Sequence, residues 1–274
     1  MQILLSCAKT MATKFPAYLK GVHSDLWTAP QWEEQAHDMI HELVGHTASE
    51  IEEMLHVNGS IAVQNVHRYQ AFFNGDALTY PAVSGYTGIV FKQLGVSEWN
   101  EDLWTIAAQH LNITSFLYGL LRPTDLIHPY RLEGDVSLQA HTEKNLFYFW
   151  RTYLTDALIE RVKADDGVLV FLASNEMRGL FDWKRVTDEV KVLSPEFLVD
   201  KAGRWKQVVV YTKMARGQMS LFLFNRLMAE KGTLSVGDEV RTFSWEGYRY
   251  SEAITAERAH TAHAGEELLS FVLQ

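Results

Sequence analysis

The sequence predicts an α+β fold, a single mixed domain over residues 1–274 with a central sheet flanked by helices and one cleft. Three observations lead there. The chain of 274 residues, 47% hydrophobic and 22% charged, can bury a substantial core yet contains no stretch apolar enough to span a bilayer. No period of 20 to 50 residues repeats, and no Pro, Gly or Ser run marks a linker. Helical patterns fill most of the first 164 residues and strand patterns recur mainly afterwards, so the apolar N-terminal segment must join the later strands in one sheet to bury both its faces.

MQILLSCAKT (1–10) reads as that first strand. Its apolar run has no basic region before it, is too short for a signal peptide and leads into Lys9. TAPQWEEQAHDMIHELVGHT places Pro30 near a helix start and Trp32, Ala36, Met39, Ile40 and Leu43 at helical spacing. Residues 49–73 read as two short helices reversing at Asn58 and Gly59. Residues 99–120 and 143–164 read as further helices. Strands are expected at 168–174, 190–199, 206–214 and 245–250, with a helix at roughly 215–230 after the third.

Composition narrows the function classes. The net charge of -9 opposes a polyanion partner, but the charge is uneven. Residues 1–60 hold three Lys or Arg against eight Asp or Glu, whereas residues 121–217 hold fifteen against fourteen. A basic groove in an acidic shell and a solvated, salt-bridged surface both fit that distribution. The lone Cys7 excludes an internal disulfide and suits a reducing cytoplasm.

Polar residues cluster just after apolar strands: Ser6, Lys9 and Thr10 after the first, Ser174 and Glu176 after another, Lys213 and Arg216 after a third. Strand ends are where open α/β sheets hold ligands, and three cations suit a phosphate or carboxylate. Cys7 reads as a small core residue rather than a nucleophile, and Lys9 as an anion contact or, beside other cations, an amine of lowered pKa. His37 and His41 have metal-ligand spacing but fall on the solvent face of their helix, so no metal is expected. No P-loop, GxGxxG, GxSxG or zinc-finger spacing points to a cofactor. LYGLLRPTDLIHPYRLE (117–133) sets Arg122, Asp125, Arg131 and Glu133 in an apolar frame: either these charges lock a turn together or they line a cleft.

Several stretches together resemble the YaaA family of peroxide stress resistance proteins: SCAKT (6–10), GYTG (85–88), HL-x-x-x-S-x-LYGLLRP-x-D (110–125), PYRLE (129–133), FW (149–150), LAS-x-E (172–176) and K-x-ARG (213–217). The resemblance spans nearly the whole chain. It implies a cytoplasmic bacterial protein that limits oxidative, iron-driven damage and binds duplex DNA through a cationic cleft and a helix-hairpin-helix element, here at about 49–73. The family's motif positions are Lys9, Thr10, Tyr86, Thr87, Arg122, Asp125, Tyr130, Arg131, Glu133, Ser174, Glu176, Lys213 and Arg216. Of these, Lys9, Thr10, Arg122, Arg131, Lys213 and Arg216 are the anion- or DNA-binding candidates. Tyr86, Thr87, Asp125, Tyr130 and Ser174 shape the cleft, and Lys9, Glu133 and Glu176 are the candidates should the cleft be catalytic. The chain departs from the family at Cys7, usually Pro, at Asn112, usually Arg, and in having only Gly59 where the hairpin usually has two glycines. Two classes stay open: a DNA-binding protein, and an enzyme acting on a small anionic metabolite in the same cleft.

Overall fold

The computed structural model describes residues 1–22, 24–139, 144–229 and 236–273. Glu143 and Glu230, outermost positions of two expected helices, lie outside these residues. In chain order the strands are β1 (Gln2–Leu5), β2 (Tyr80–Pro81), β3 (Leu111–Ser115), β4 (Gly119–Leu121), β5 (Leu126–Ile127) and β6 (Val168–Phe171), followed by β7 (Lys191–Asp200), β8 (Trp205–Lys206), β9 (Ser244–Trp245), β10 (Tyr248–Tyr250) and β11 (Glu266–Leu273). A mixed, mostly parallel sheet runs in the order β4-β3-β1-β6-β7-β11-β10-β9, with β8 on β7, and helices flank it; β2 and β5 form a separate two-residue ladder.

The N-terminal strand lies inside this sheet as expected. Ile3 pairs with Leu111 on one side and Val170 on the other. Ile3, Leu4 and Leu5 are fully buried, which is why β1 reads as an unbroken apolar run rather than an alternating one. The chain leaves β1 toward β3 on one side and leaves β6 toward β7 on the other. Connections that diverge from adjacent parallel strands leave a crevice at their carboxyl ends, and that crevice lies beyond Leu5 and Phe171.

Three expected elements differ. The helix expected over 99–120 stops at His110, after Glu101–His110, and the chain turns directly into β3 and β4. All five β3 side chains are buried, and Gly119, at φ +74°, opens β4 where a Cβ would press 2.7 Å from the Trp150 ring. The strand expected over 206–214 is only Trp205–Lys206, and Val209 begins a helix running to Ala229. Its valines suggested a strand, but Thr212, Ala215, Met219, Leu223 and Leu227 form a buried helical stripe, and tertiary packing outweighs the β-branched start. The 245–250 strand is a hairpin of β9 and β10, with Gly247 at positive φ between them. A further strand, β11, went unanticipated; it pairs in parallel with β7 along its whole length.

The helix pair expected near 49–73 is Ala48–Leu55 and Gly59–Ala71. Thr47 and Glu50 close a capping box on the first, and the Asn58 side chain accepts from the Ile61 amide at 3.1 Å on the second. No helix among the described residues is long and apolar enough to cross a membrane.

Candidate functional site

A cavity of about 380 Å³ opens at the crevice beyond β1 and β6. Lys9, Thr10, Tyr130, Arg131, Glu133, Ser174, Glu176, Lys213 and Arg216 all line it, with Ser6 and Cys7. Residues more than two hundred positions apart thus share one wall because three segments meet at the sheet's carboxyl edge.

Each segment is held by specific bonds. The Ser174 amide donates to Ser6 Oγ at 2.8 Å, the Ser6 and Ser174 hydroxyls lie 3.1 Å apart, and Ser174 Oγ donates to Glu176 at 3.1 Å. This ties the end of β1 to the end of β6 and aims a carboxylate into the crevice. The SCAKT segment is clamped to GYTG: Thr87 donates its amide to the Thr10 carbonyl at 3.0 Å, and Ala12 donates to Gly85 at 2.8 Å. Trp150 Nε1 donates to the Phe116 carbonyl at 2.8 Å, fixing one apolar wall.

PYRLE forms the facing wall. Tyr69, on the Gly59–Ala71 helix, donates its hydroxyl to the Arg131 carbonyl. Glu133 sits between two cations, 2.8 Å from Lys9 Nζ and 3.1 Å from Arg131 Nη2. Lys9 and Arg131 therefore share one carboxylate, and Lys9 remains two-thirds exposed. Tyr130 Oη lies 2.6 Å from Ser115 Oγ and 2.8 Å from Tyr86 Oη in a buried hydroxyl chain. Burial pushes both phenols well above the usual tyrosine range, so both keep their protons.

Lys213 and Arg216 stand one turn apart on the Val209–Ala229 helix rather than at a strand end. Gly217 lets that helix approach the Ile89–Leu94 helix, since a Cβ there would lie 2.3 Å from the Val90 carbonyl oxygen. Among the described residues neither cation has a carboxylate partner, and the Arg216 Nε–H is buried without an acceptor. Burial, aided by the Arg178 guanidinium, lowers the Arg216 pKa to about 10. The cavity also holds Cys7, whose thiol is pushed up to about 12 by burial and the nearby Glu133 and Glu176 charges. It is a thiol, not a thiolate, at neutral pH.

Arg122 is elsewhere, a correction to its place among the cleft cations. Its Nη1 donates to Gln2 Oε1 and to the Gln109 carbonyl, both at 3.2 Å, at the opposite end of β1. Asp125 is beside it, accepting from the Arg122 amide at 2.7 Å and from Thr28 Oγ1 at 2.7 Å. The two alternatives for 117–133 thus apply to different halves: Arg122 and Asp125 lock a turn, while Arg131 and Glu133 face the cavity. Tyr86, Thr87 and Asp125 do not line the cavity; Tyr86 and Thr87 support it through Tyr130 and Thr10. Asn112 adjoins Arg122 through Gln2, and also accepts from Arg161 Nη1 at 3.1 Å. His37 and His41 pack against Phe73, with His41 stacked on its ring, and no metal-binding cluster occurs among the described residues. Ser115 had no assigned role in the sequence; the signal was its place in the HL-x-x-x-S-x-LYGLLRP-x-D stretch, and the structure puts it at the end of β3, directly before the tight β3–β4 reversal.

The family described as peroxide stress protein YaaA matches residues 1–254. A UPF0246 protein of Bacteroides thetaiotaomicron is 43% identical over 258 residues, covering 94% of this chain and 96% of its own. One from Porphyromonas gingivalis is 44% identical over 260 residues, 94% and 97% of the two chains. A third, from Bacteroides fragilis, is 42% identical over 266 residues, 97% and 99%. With that agreement along almost the full length, the chain belongs to the YaaA (UPF0246) family of peroxide stress proteins.

Proposed function

We propose that this peroxide stress protein binds a small phosphate- or carboxylate-bearing molecule in the cavity. The observation that carries the reading is the pair Lys213 and Arg216, which have no carboxylate partner among the described residues, with a buried guanidinium N–H left without an acceptor. A buried donor without a partner costs on the order of 1–3 kcal/mol, and an oxyanion would recover that cost. Lys9 and Arg131 share the single Glu133 carboxylate and would orient the ligand; Glu176, fixed by Ser174, is the group placed for proton transfer. A volume of about 380 Å³ suits a metabolite, whereas duplex DNA, with a major groove alone about 12 Å wide, needs an open channel. Calorimetric titration with inorganic phosphate tests the reading: saturable binding by the wild type, lost in Arg216→Ala, is expected, and no binding at any concentration up to tens of millimolar would remove it.

The duplex-DNA reading rests on the resemblance and on one observation, the capped helix pair Ala48–Leu55 and Gly59–Ala71 tied to Arg131 through Tyr69. Glu50, Glu52 and Glu53 on the first helix oppose it. The protective role in the cell would be iron-linked. A deletion strain should then be killed faster by hydrogen peroxide, and an iron chelator should relieve the difference; equal killing with and without the gene would count against it.

A further inference from the structure

Lys213 and Arg216 keep their charges because the carboxylates in and behind the cavity are engaged elsewhere. Glu133 accepts at one oxygen from Arg131 Nε and Nη2, both at 3.1 Å, and at the other from Lys9 at 2.8 Å. Arg178, the guanidinium whose charge acts on Arg216, is matched by Glu266: its Nε and Nη2 reach the two carboxylate oxygens at 2.7 Å each. Trp183 and Ser194 donate to the same buried carboxylate. Glu176 accepts from Ser174 Oγ at 3.1 Å, and among the described residues it forms no ion pair with either cation.

The charges in the cavity therefore do not cancel. Lys9, Arg131, Lys213 and Arg216 face only Glu133 and Glu176, while Cys7 and Tyr130 hold their protons, so the described lining carries an excess of two positive charges. The excess is local. Lys9 and Arg131 lean on Glu133, whereas Lys213 and Arg216 stand three residues apart on one helix, a spacing of about 5–6 Å between Cβ atoms. Arg216 holds a buried Nε–H without an acceptor, and Lys213 is exposed on a flexible stem that can bring its ammonium to the same point.

A group that matches both cations at one point carries two charges on one centre. A carboxylate, a sulfate monoester and a phosphodiester each bring one charge and leave one cation of the pair unmatched. A dicarboxylate brings two, but on separate centres. A phosphate monoester brings close to two at neutral pH, with three oxygens that can accept from an ammonium and a guanidinium together. We propose that the cavity selects a phosphate monoester, held through its terminal dianionic phosphoryl group by Lys213 and Arg216. This rests on the anion reading above and narrows it to one charge class; it also sets the site apart from a nucleic-acid backbone, whose phosphates are diesters.

The test is calorimetric titration of the full chain at pH 8 with methyl phosphate, methyl sulfate, dimethyl phosphate, acetate and succinate, for the wild type and Lys213→Gln. Methyl phosphate and methyl sulfate have nearly the same shape and differ by one charge. Methyl phosphate should bind at least ten times tighter than each of the other four. A smaller lead over any of them overturns the phosphate-monoester assignment and leaves the anion reading standing, and if nothing binds at up to tens of millimolar, both fall. Lys213→Gln should cut the lead over methyl sulfate to a third or less, because one of the two matching charges is gone. A smaller effect in a folded variant overturns the placement of the phosphoryl group on Lys213; should the variant not fold, the wild-type series alone still decides the ligand class.

Discussion

Replacing Arg216 with Met separates a cation kept for a ligand from one kept for the fold. Methionine preserves most of the apolar stem and removes the guanidinium that burial and Arg178 bring to a pKa of about 10. Each factor of ten in proton affinity is worth ~1.4 kcal/mol, so holding the charge in place costs on the order of 3 kcal/mol before screening. The head group reaches an open cavity, and solvent screening leaves roughly 1–2 kcal/mol of that cost. The pKa is lowered, so the cost is fully present below about pH 10 and fades only above it; the comparison is therefore flat from pH 6 to 9. Arg216→Met should raise stability by roughly 1–2 kcal/mol, about 2–4 °C in Tm for a chain of this size, while phosphate binding disappears. Scanning calorimetry without phosphate, across that pH range, measures it. A drop in Tm of several degrees would refute the reasoning, because it would make the guanidinium a structural tie with partners in the fold.

Three further outcomes are expected. Cys7, with its thiol near 12, should resist iodoacetamide and hydrogen peroxide at pH 7.5 in the native protein and react only on unfolding; modification at the rate of a free thiol, read by mass spectrometry, would contradict the burial argument. Burial would push the Glu266 carboxyl up, but donors from Arg178, Ser194 and Trp183 hold it below the usual range, so its contribution is present above about pH 4.3 and is lost as pH falls through the depressed value. Glu266→Gln should cost about 3 kcal/mol at pH 7 and flatten the fall in stability between pH 5 and 3, and an unchanged acid slope in urea titrations would rule the contribution out. In gel shifts at two salt concentrations, Arg131→Ala with Lys213→Ala should weaken any duplex binding equally for all sequences and shallow its salt dependence by about one slope unit per lost phosphate contact. Wild-type binding left untouched by the pair would exclude this cavity as the DNA site.

The sequence by itself determined the elements whose residues carry a strong local pattern. The apolar run Gln2–Leu5, the stripe of Ala36, Met39, Ile40 and Leu43, and the reversal before Gly59 each have one stable reading, because their burial or capping is decided within a few residues. The polar clusters after β1 and β6 were legible for the same reason: strand ends must be wet, and these carry Lys9, Ser174 and Glu176. Elsewhere only the tertiary structure decided. Val209–Tyr211 has the composition of a strand, and it is helical because the stripe from Thr212 to Leu227 finds a core to bury against. Arg122 and Arg131 lie nine positions apart in one motif, yet the first reaches Gln2 at the start of β1 while the second faces the cavity beyond its end. Charge and spacing are the same kind of signal in both; what separates them is which end of a parallel sheet the chain has reached, and that is set by contacts more than a hundred residues apart in sequence.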